Sequence, residues 1–255
     1  MARVLITGAS RGIGRGLADE LTKRGHEVIA TARDLSSLDD VPAAQRLQLD
    51  VTDQASVDAA IAAAGEVDVL ISNAGATVRA PLETVPLDEV SRLFELNTFG
   101  ALRVVQAVLP QMRRRGAGRI AFISSVQGRV AIPLIGPYSA SKWALEGIAE
   151  SLAIEVRHFG VEVQVFEPGA VSSGGAKRAK VFLDKDDPYY PMLEQLAGFR
   201  TAPVTVDEFA TVVADAVENT EVPFRVPVGE AAIAQLKARK EAPENEPFVA
   251  APLDW

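Results

Sequence analysis

The chain has 255 residues, 48% hydrophobic and 24% charged, an ordinary globular composition with material for one large core. A net charge of −8 opposes nucleic-acid binding, which calls for a basic footprint, and the lack of cysteine excludes disulfides and thiolate metal sites. The two histidines, His26 and His158, lie far apart in sequence, so no metal centre is expected.

The N-terminus, MARVLITGAS, reads as a strand running into a glycine turn, with no long apolar h-region. Later apolar runs such as VAIPLIGP are short and broken by proline, well below a membrane span, so a cytoplasmic location is expected. RVLITG, HEVIATA, RLQLDV, VDVLISN, GRIAFISS, VEVQVFEP and FRVPVG read as buried strands. Helical patterns fall between them at roughly 12–24, 53–64, 88–114 and 138–159. This alternation predicts an α/β fold: a single-domain, doubly wound parallel sheet (Rossmann-type) with helices on both faces, spanning 1–255. Two segments break the rhythm. Residues 170–205 show no clear long element and are expected to form a substrate lid, and 241–255 is expected to be a loosely held tail.

The first strand ends in TGASRGIG, where Gly8, Gly12 and Gly14 permit a sharp turn and close approach of a phosphate to backbone amides. Ser10, Arg11 and Ile13 belong to the same turn. The spacing differs from G-x-G-x-x-G, and a tight strand–helix turn with no ligand is the plain alternative. The second strand closes as ATARD. Asp34 falls past the turn, while Arg33, with Arg11, is placed to grip a ribose phosphate; this favours NADP over NAD, although solvated arginines would look the same. Asp50 and Val51, after the third strand, and Asn73, Ala74 and Gly75, after the fourth, fall where an adenine and ribose would lie. Asp50 as a helix cap is the structural alternative, though Thr52 or Asp53 is better placed for it.

In GPYSASKWALEG, Tyr138 and Lys142 lie one helical turn apart and share a face. A phenol with a pKa near ~10 is a good proton donor to an alkoxide, and a neighbouring ammonium would lower that pKa. Ser125 follows the fifth strand, where its hydroxyl could orient a carbonyl oxygen; Ser124 competes for the task, but strand alternation points the two apart. Asn97 interrupts the apolar helix RLFELNTFGALRVV, as a buried amide at a kink would.

The ordered set TGASRGIG, LDV, NAG, Asn97, ISS, YSASK and EPG resembles the short-chain dehydrogenase/reductase family over about residues 3–170. The region around the tyrosine resembles its hydroxysteroid/retinol dehydrogenase branch. The resemblance implies hydride transfer between a nicotinamide and an alcohol or carbonyl, with Tyr138 as acid/base and Ser125 as the carbonyl orienter, the serine that the family spacing selects. It further implies that Lys142 also holds the nicotinamide ribose and that Asn97 supports a water relay. Pro168 and Gly169 are then expected beside the nicotinamide. Val171 and Ser173 occupy the following stretch, Ser173 at the offset of the family's carboxamide-binding threonine. Val130, Ile132, Leu134 and Ile135 near the tyrosine suit a hydrophobic ketone, aldehyde or alcohol. Family members assemble as dimers or tetramers through the two long helices, so a homodimer or homotetramer is expected. The alternatives are a catalytically silent NADP-binding redox sensor, which loss of the tyrosine or lysine would indicate, and a lyase-type relative with a halide in place of the cofactor, against which the glycine turn and Arg33 speak. A longer epimerase would need a larger C-terminal region.

Overall fold

The computed structural model describes residues 1–198, 202–219 and 221–248. Seven strands form one wholly parallel sheet: β1 (Arg3–Ile6), β2 (Glu27–Ala32), β3 (Gln45–Gln48), β4 (Val69–Ser72), β6 (Gly118–Ile123), β7 (Val161–Pro168) and β9 (Arg225–Val228). Their order across the sheet is β3-β2-β1-β4-β6-β7-β9. Two-residue strands β5 (Val78–Arg79) and β8 (Lys180–Val181) make a separate parallel ladder. The chain winds outward from β1 in one direction and from β4 in the other. The crevice beyond the carboxyl ends of these two strands is therefore the switch point at which open α/β sheets bind ligands.

Alternation along each strand builds two cores. Leu5, Ile29, Leu70, Ile120 and Phe122 face one side, packing on α2 (Gln54–Ala64), α4 (Gly100–Arg115) and α5 (Gly136–Val156). Their neighbours Val4, Ile6, Val28, Ala30 and Ile71 face the other, against α1 (Gly12–Lys23) and α7 (Val206–Glu218). A period of two between two apolar layers is what buried parallel strands require.

The expected helix at 88–114 is present as α3 (Leu87–Phe94), a five-residue π turn (Glu95–Phe99) and α4. Asn97 sits in the π turn, so the polar interruption marks a real irregularity. The described residues of 170–205 hold more order than the sequence suggests. Val171 bridges to Val204, Phe182 N donates to the Arg79 carbonyl at 2.8 Å, and α6 (Tyr190–Gly198) follows. After β9, α8 (Glu230–Glu241) runs into the region expected to be loose. Phe248 packs against the small cluster of Val126, Val130 and Ala232, so the tail is anchored that far; Trp255 and residues 249–254 lie outside the described residues. Among the described residues no helix is long and apolar enough to cross a membrane, and no group of three or more metal-ligating side chains forms.

Candidate active site

The floor of the site is the turn between β1 and α1. Gly12 adopts φ +57°, a conformation that favours glycine. A Cβ on Gly14 would collide with the Gly8 carbonyl and approach the Asn73 side-chain nitrogen to 2.6 Å, so only a bare backbone fits there. The loop after β4 holds this turn in place. Asn73 Nδ2 donates to the carbonyls of Thr7 (2.9 Å) and Gly8 (3.1 Å), while the buried Thr7 hydroxyl accepts from the amides of Asn73 (2.9 Å) and Ala74 (3.0 Å). Asn73 thus braces the glycine turn as well as lining the space above it. Thr7 was not singled out from the sequence, though it opens the TGASRGIG motif.

A cleft of about 360 Å³ opens over this floor. Gly8, Ser10, Arg11, Gly12, Ile13 and Gly14 line one end, with Arg33 at the tip of β2. Asp50, Val51, Asn73, Ala74 and Gly75 form the wall, and Tyr138, Lys142 and Ser173 close the far side. The charged side chains among the lining residues are Arg11, Arg33, Lys142 and Arg178 against Asp50 alone. In a chain of net charge −8, such a reversal focuses positive potential on the cleft and fits a polyanionic ligand. Asp34 is committed elsewhere: its carboxylate caps a short 3₁₀ turn, accepting from Ser36 N at 3.0 Å and Ser36 Oγ at 2.7 Å. Asp50 Oδ1 accepts from Thr52 N (2.9 Å) and Thr52 Oγ1 (2.8 Å), and the cap of α2 is Asp53. A phosphate-bearing dinucleotide fits this donor set: bare amides and Arg11 in the turn, the Arg33 guanidinium just past β2, and Asp34 there turned to its own 3₁₀ turn.

α5 starts at Gly136, with Pro137 in its first turn where a missing N–H costs nothing, and so puts Tyr138 at the mouth of the cleft. Lys142 follows one turn later and is buried; its Nζ donates to the Ile123 carbonyl at 2.8 Å and lies 6.0 Å from the centre of the Tyr138 ring. Ser125 is not the last residue of a strand as expected. β6 ends at Ile123, and Ser125 instead caps the 3₁₀ turn Val126–Gly128. Its Oγ accepts from Gln127 N at 3.2 Å and donates to Gln127 Oε1 at 2.6 Å. Burial pushes the Tyr138 phenol above its ordinary value, and a hydrogen bond with Ser125 pulls it the other way. Burial pushes the Lys142 ammonium down to about 8, opposed by Glu146 one turn further on. At neutral pH the pair is therefore a protonated phenol beside an ammonium.

Asn97 meets this pair from below. Its Oδ1 accepts from Ala76 N at 2.9 Å, and its Nδ2 donates to the Ala76 carbonyl and Ser141 Oγ, both at 2.9 Å. Its Oδ1 and Lys142 Nζ lie 3.1 and 3.8 Å from the point where a Cβ on Gly75 would stand. The π turn thus ties the loop after β4 to α5.

Three expected cofactor contacts are not at the cleft wall. Pro168 lies within β7, paired with Val228; Gly169 N donates to the Val228 carbonyl at 3.2 Å beneath α8; Val171 packs in the core beside Val204. Neither Ser125 nor Asn97 lines the cleft itself, whereas Ser124 does, with a buried hydroxyl that has no hydrogen-bond partner. Val130 and Leu134, expected near substrate, are buried; Ile132 and Ile135 are partly exposed. The cleft also takes in Leu49, Leu96, Thr77 and Arg178, which sequence reasoning missed. Leu49 stands in the LDV motif and Leu96 in the helical run around Asn97, whereas Thr77 and Arg178 lie where no periodic pattern runs.

The short chain dehydrogenase family profile matches residues 2–181. Human retinol dehydrogenase 8 is 44% identical over 66% of this chain and 58% of its own length, so the match spans little more than half of that protein. Human 17-beta-hydroxysteroid dehydrogenase type 1 is 36% identical over 98% of this chain and 85% of its own. Among solved structures, a short-chain dehydrogenase from Streptomyces avermitilis superposes with a TM-score of 0.85 at 35% identity, covering 94% of both chains. One from Burkholderia cenocepacia J2315, in complex with NADP, gives 0.79 at 28% identity, again over 94% of both. The chain belongs to the short-chain dehydrogenase/reductase family of oxidoreductases, in its hydroxysteroid/retinol dehydrogenase-like branch.

Proposed function

We propose that the protein is an NADP(H)-dependent carbonyl reductase/alcohol dehydrogenase acting on a hydrophobic ketone or aldehyde, or on the corresponding alcohol. The observation that carries this reading is the gathering of Tyr138, Ser125 and Lys142 at the carboxyl edge of the sheet, beside a glycine-floored and cation-rich cleft. When bound, the dinucleotide supplies the hydride. Tyr138 donates its proton to the oxygen on which negative charge develops, and Ser125 hydrogen-bonds the same oxygen. Lys142 stabilises the phenolate left behind, and solvent returns the proton. Asn97 holds α5 and the loop after β4 in register, so that tyrosine and lysine keep their separation from the glycine turn.

Arg33 and Arg11 have no ion-pair partner among the described residues, and Asp34 is turned away; this supports NADP(H) over NAD(H). Solved relatives complexed with NADP point the same way. The hydrophobic substrate class follows from the names of the curated relatives, which are retinol and hydroxysteroid dehydrogenases. Residues 170–205 act as the lid in this reading, and exposed Phe99, Trp143 and Ile154 on the π turn and α5 suit assembly into a dimer or tetramer. The silent NADP-binding sensor gains no support from these relatives. The test is consumption of NADPH, with NADH in parallel, across aliphatic, aromatic, retinoid and steroid carbonyls. Turnover with at least one apolar carbonyl and a preference for NADPH that Arg33→Ala abolishes is the expected result. Equal use of NADH, or turnover confined to polar sugars, would overturn it.

A further inference from the structure

The segment after β7 carries a cation that the chemistry above does not use. Arg178 ends a 3₁₀ turn, Ala176–Arg178, within the segment proposed as a lid. Its Nη2 donates to the Ser173 carbonyl at 3.1 Å, and it has no carboxylate partner among the described residues. The other basic residue of the segment that turns toward the body, Lys180, is paired with Glu89 at 3.1 Å. Arg178 points into the cleft: it lines the space with Ser10, Arg11 and Gly12, and its Nη2 is 3.6 Å from where a Cβ on Gly12 would stand. Ser173 crosses the same glycine, with its Cβ and carbonyl 3.3 Å from that point. An arginine fork over bare amides, with no acid nearby, is the arrangement that grips phosphate oxygens bidentately.

Position separates its task from that of Arg33. Arg33 follows β2, where the ribose of an adenosine half would lie, whereas Arg178 covers Gly12, where a pyrophosphate meets the glycine turn. We infer that Arg178 is a pyrophosphate-binding residue, so that a bound dinucleotide ties residues 174–182 to the glycine turn. The inference rests on the nicotinamide-dinucleotide reading above. It makes the hold on this stretch depend on the phosphates shared by NADPH and NADH.

The test measures dissociation constants of NADPH and NADH, by fluorescence titration, for the wild type, Arg178→Ala, Arg178→Lys and Arg33→Ala. Hydrogen exchange of the amides across 174–182 is followed with and without NADPH. Arg178→Ala is expected to weaken both dinucleotides by about 10- to 100-fold, the range for a charge-assisted contact, and by the same factor. Arg178→Lys recovers part of the loss, and Arg33→Ala weakens NADPH alone. NADPH slows exchange across 174–182 in the wild type and fails to do so in Arg178→Ala at saturating nucleotide. If Arg178→Ala binds both dinucleotides as the wild type does, or loses NADPH alone, the inference is overturned while the dinucleotide reading stands. If the wild type binds neither, that reading falls first and the role of Arg178 with it. Arg178 is exposed, so a folding failure does not blur the comparison.

Discussion

Replacing Lys142 with methionine separates what the residue does for the fold from what it does for the reaction. The ammonium is buried and its pKa is pushed from 10.5 to about 8. At about 1.4 kcal/mol per unit, keeping that charge in the folded protein at pH 7 costs on the order of 3 kcal/mol, a net figure that already contains the favourable pull of Glu146. Methionine fills the same stem volume without the charge but leaves the Ile123 carbonyl without its 2.8 Å donor, a loss of roughly 1–2 kcal/mol. The balance favours the variant by about 1–2 kcal/mol, a rise in Tm of about 2–8 °C for a chain of this size. Because the folded pKa lies below the unfolded one, the folded state binds fewer protons than the unfolded state between pH 8 and 10.5. Wild-type stability therefore rises with pH across that window, and the advantage of the variant shrinks. Thermal unfolding of both proteins at pH 7, 8, 9 and 10, without added nucleotide, measures this directly, alongside NADPH turnover, which the variant should lack. A variant that is less stable at pH 7, with a difference that does not change up to pH 10, would refute the reasoning.

Two further outcomes follow from the buried polar groups. Thr7→Val leaves the amides of Asn73 and Ala74 without an acceptor and should destabilise the protein by roughly 2–4 kcal/mol, with weakened NADPH binding, whereas Thr7→Ser should retain most of both. Denaturant unfolding and titration check the pair. Burial, together with the nearby Glu146, raises the pKa of Glu167 above its ordinary 4.5, against the opposing charges of Arg129 and Arg225. The folded state then holds the proton more tightly than the unfolded one, so stability is lost as pH rises from 4.5 through the raised value. Glu167→Gln should match or exceed the wild-type Tm at pH 8, with the gain disappearing by pH 4; a larger loss at pH 8 than at pH 4 would show that its ion pairs outweigh desolvation.

Much of the fold was legible because parallel strands buried on both faces leave near-continuous apolar runs, and all seven runs named from the sequence are strands of the sheet. The glycine turn, Arg33 and the Tyr138–Lys142 spacing were legible because local geometry dictates them. What escaped depends on distant partners. Pro168, Gly169 and Val171 read as cofactor contacts from their position after a strand, but their backbone is claimed by residues 204 and 228. Ser125 reads as a strand end, yet the strand stops at Ile123 and a side-chain cap sets its direction. The helix at 206–218 does carry a local signal in the sequence, the capping box Thr205-Val206-Asp207-Glu208. Arg178 was unreadable as a cleft residue because nothing periodic in 170–205 says which way its turn faces.

The central claim, proton donation by Tyr138 to a carbonyl reduced by NADPH, is tested most directly by Tyr138→Phe. The phenylalanine keeps the ring on α5 and removes only the hydroxyl, so NADPH affinity and Tm should stay close to wild type. Turnover of any carbonyl substrate found in the panel should fall by about 10²–10⁴-fold. Turnover that survives the substitution at the wild-type rate would contradict the assignment.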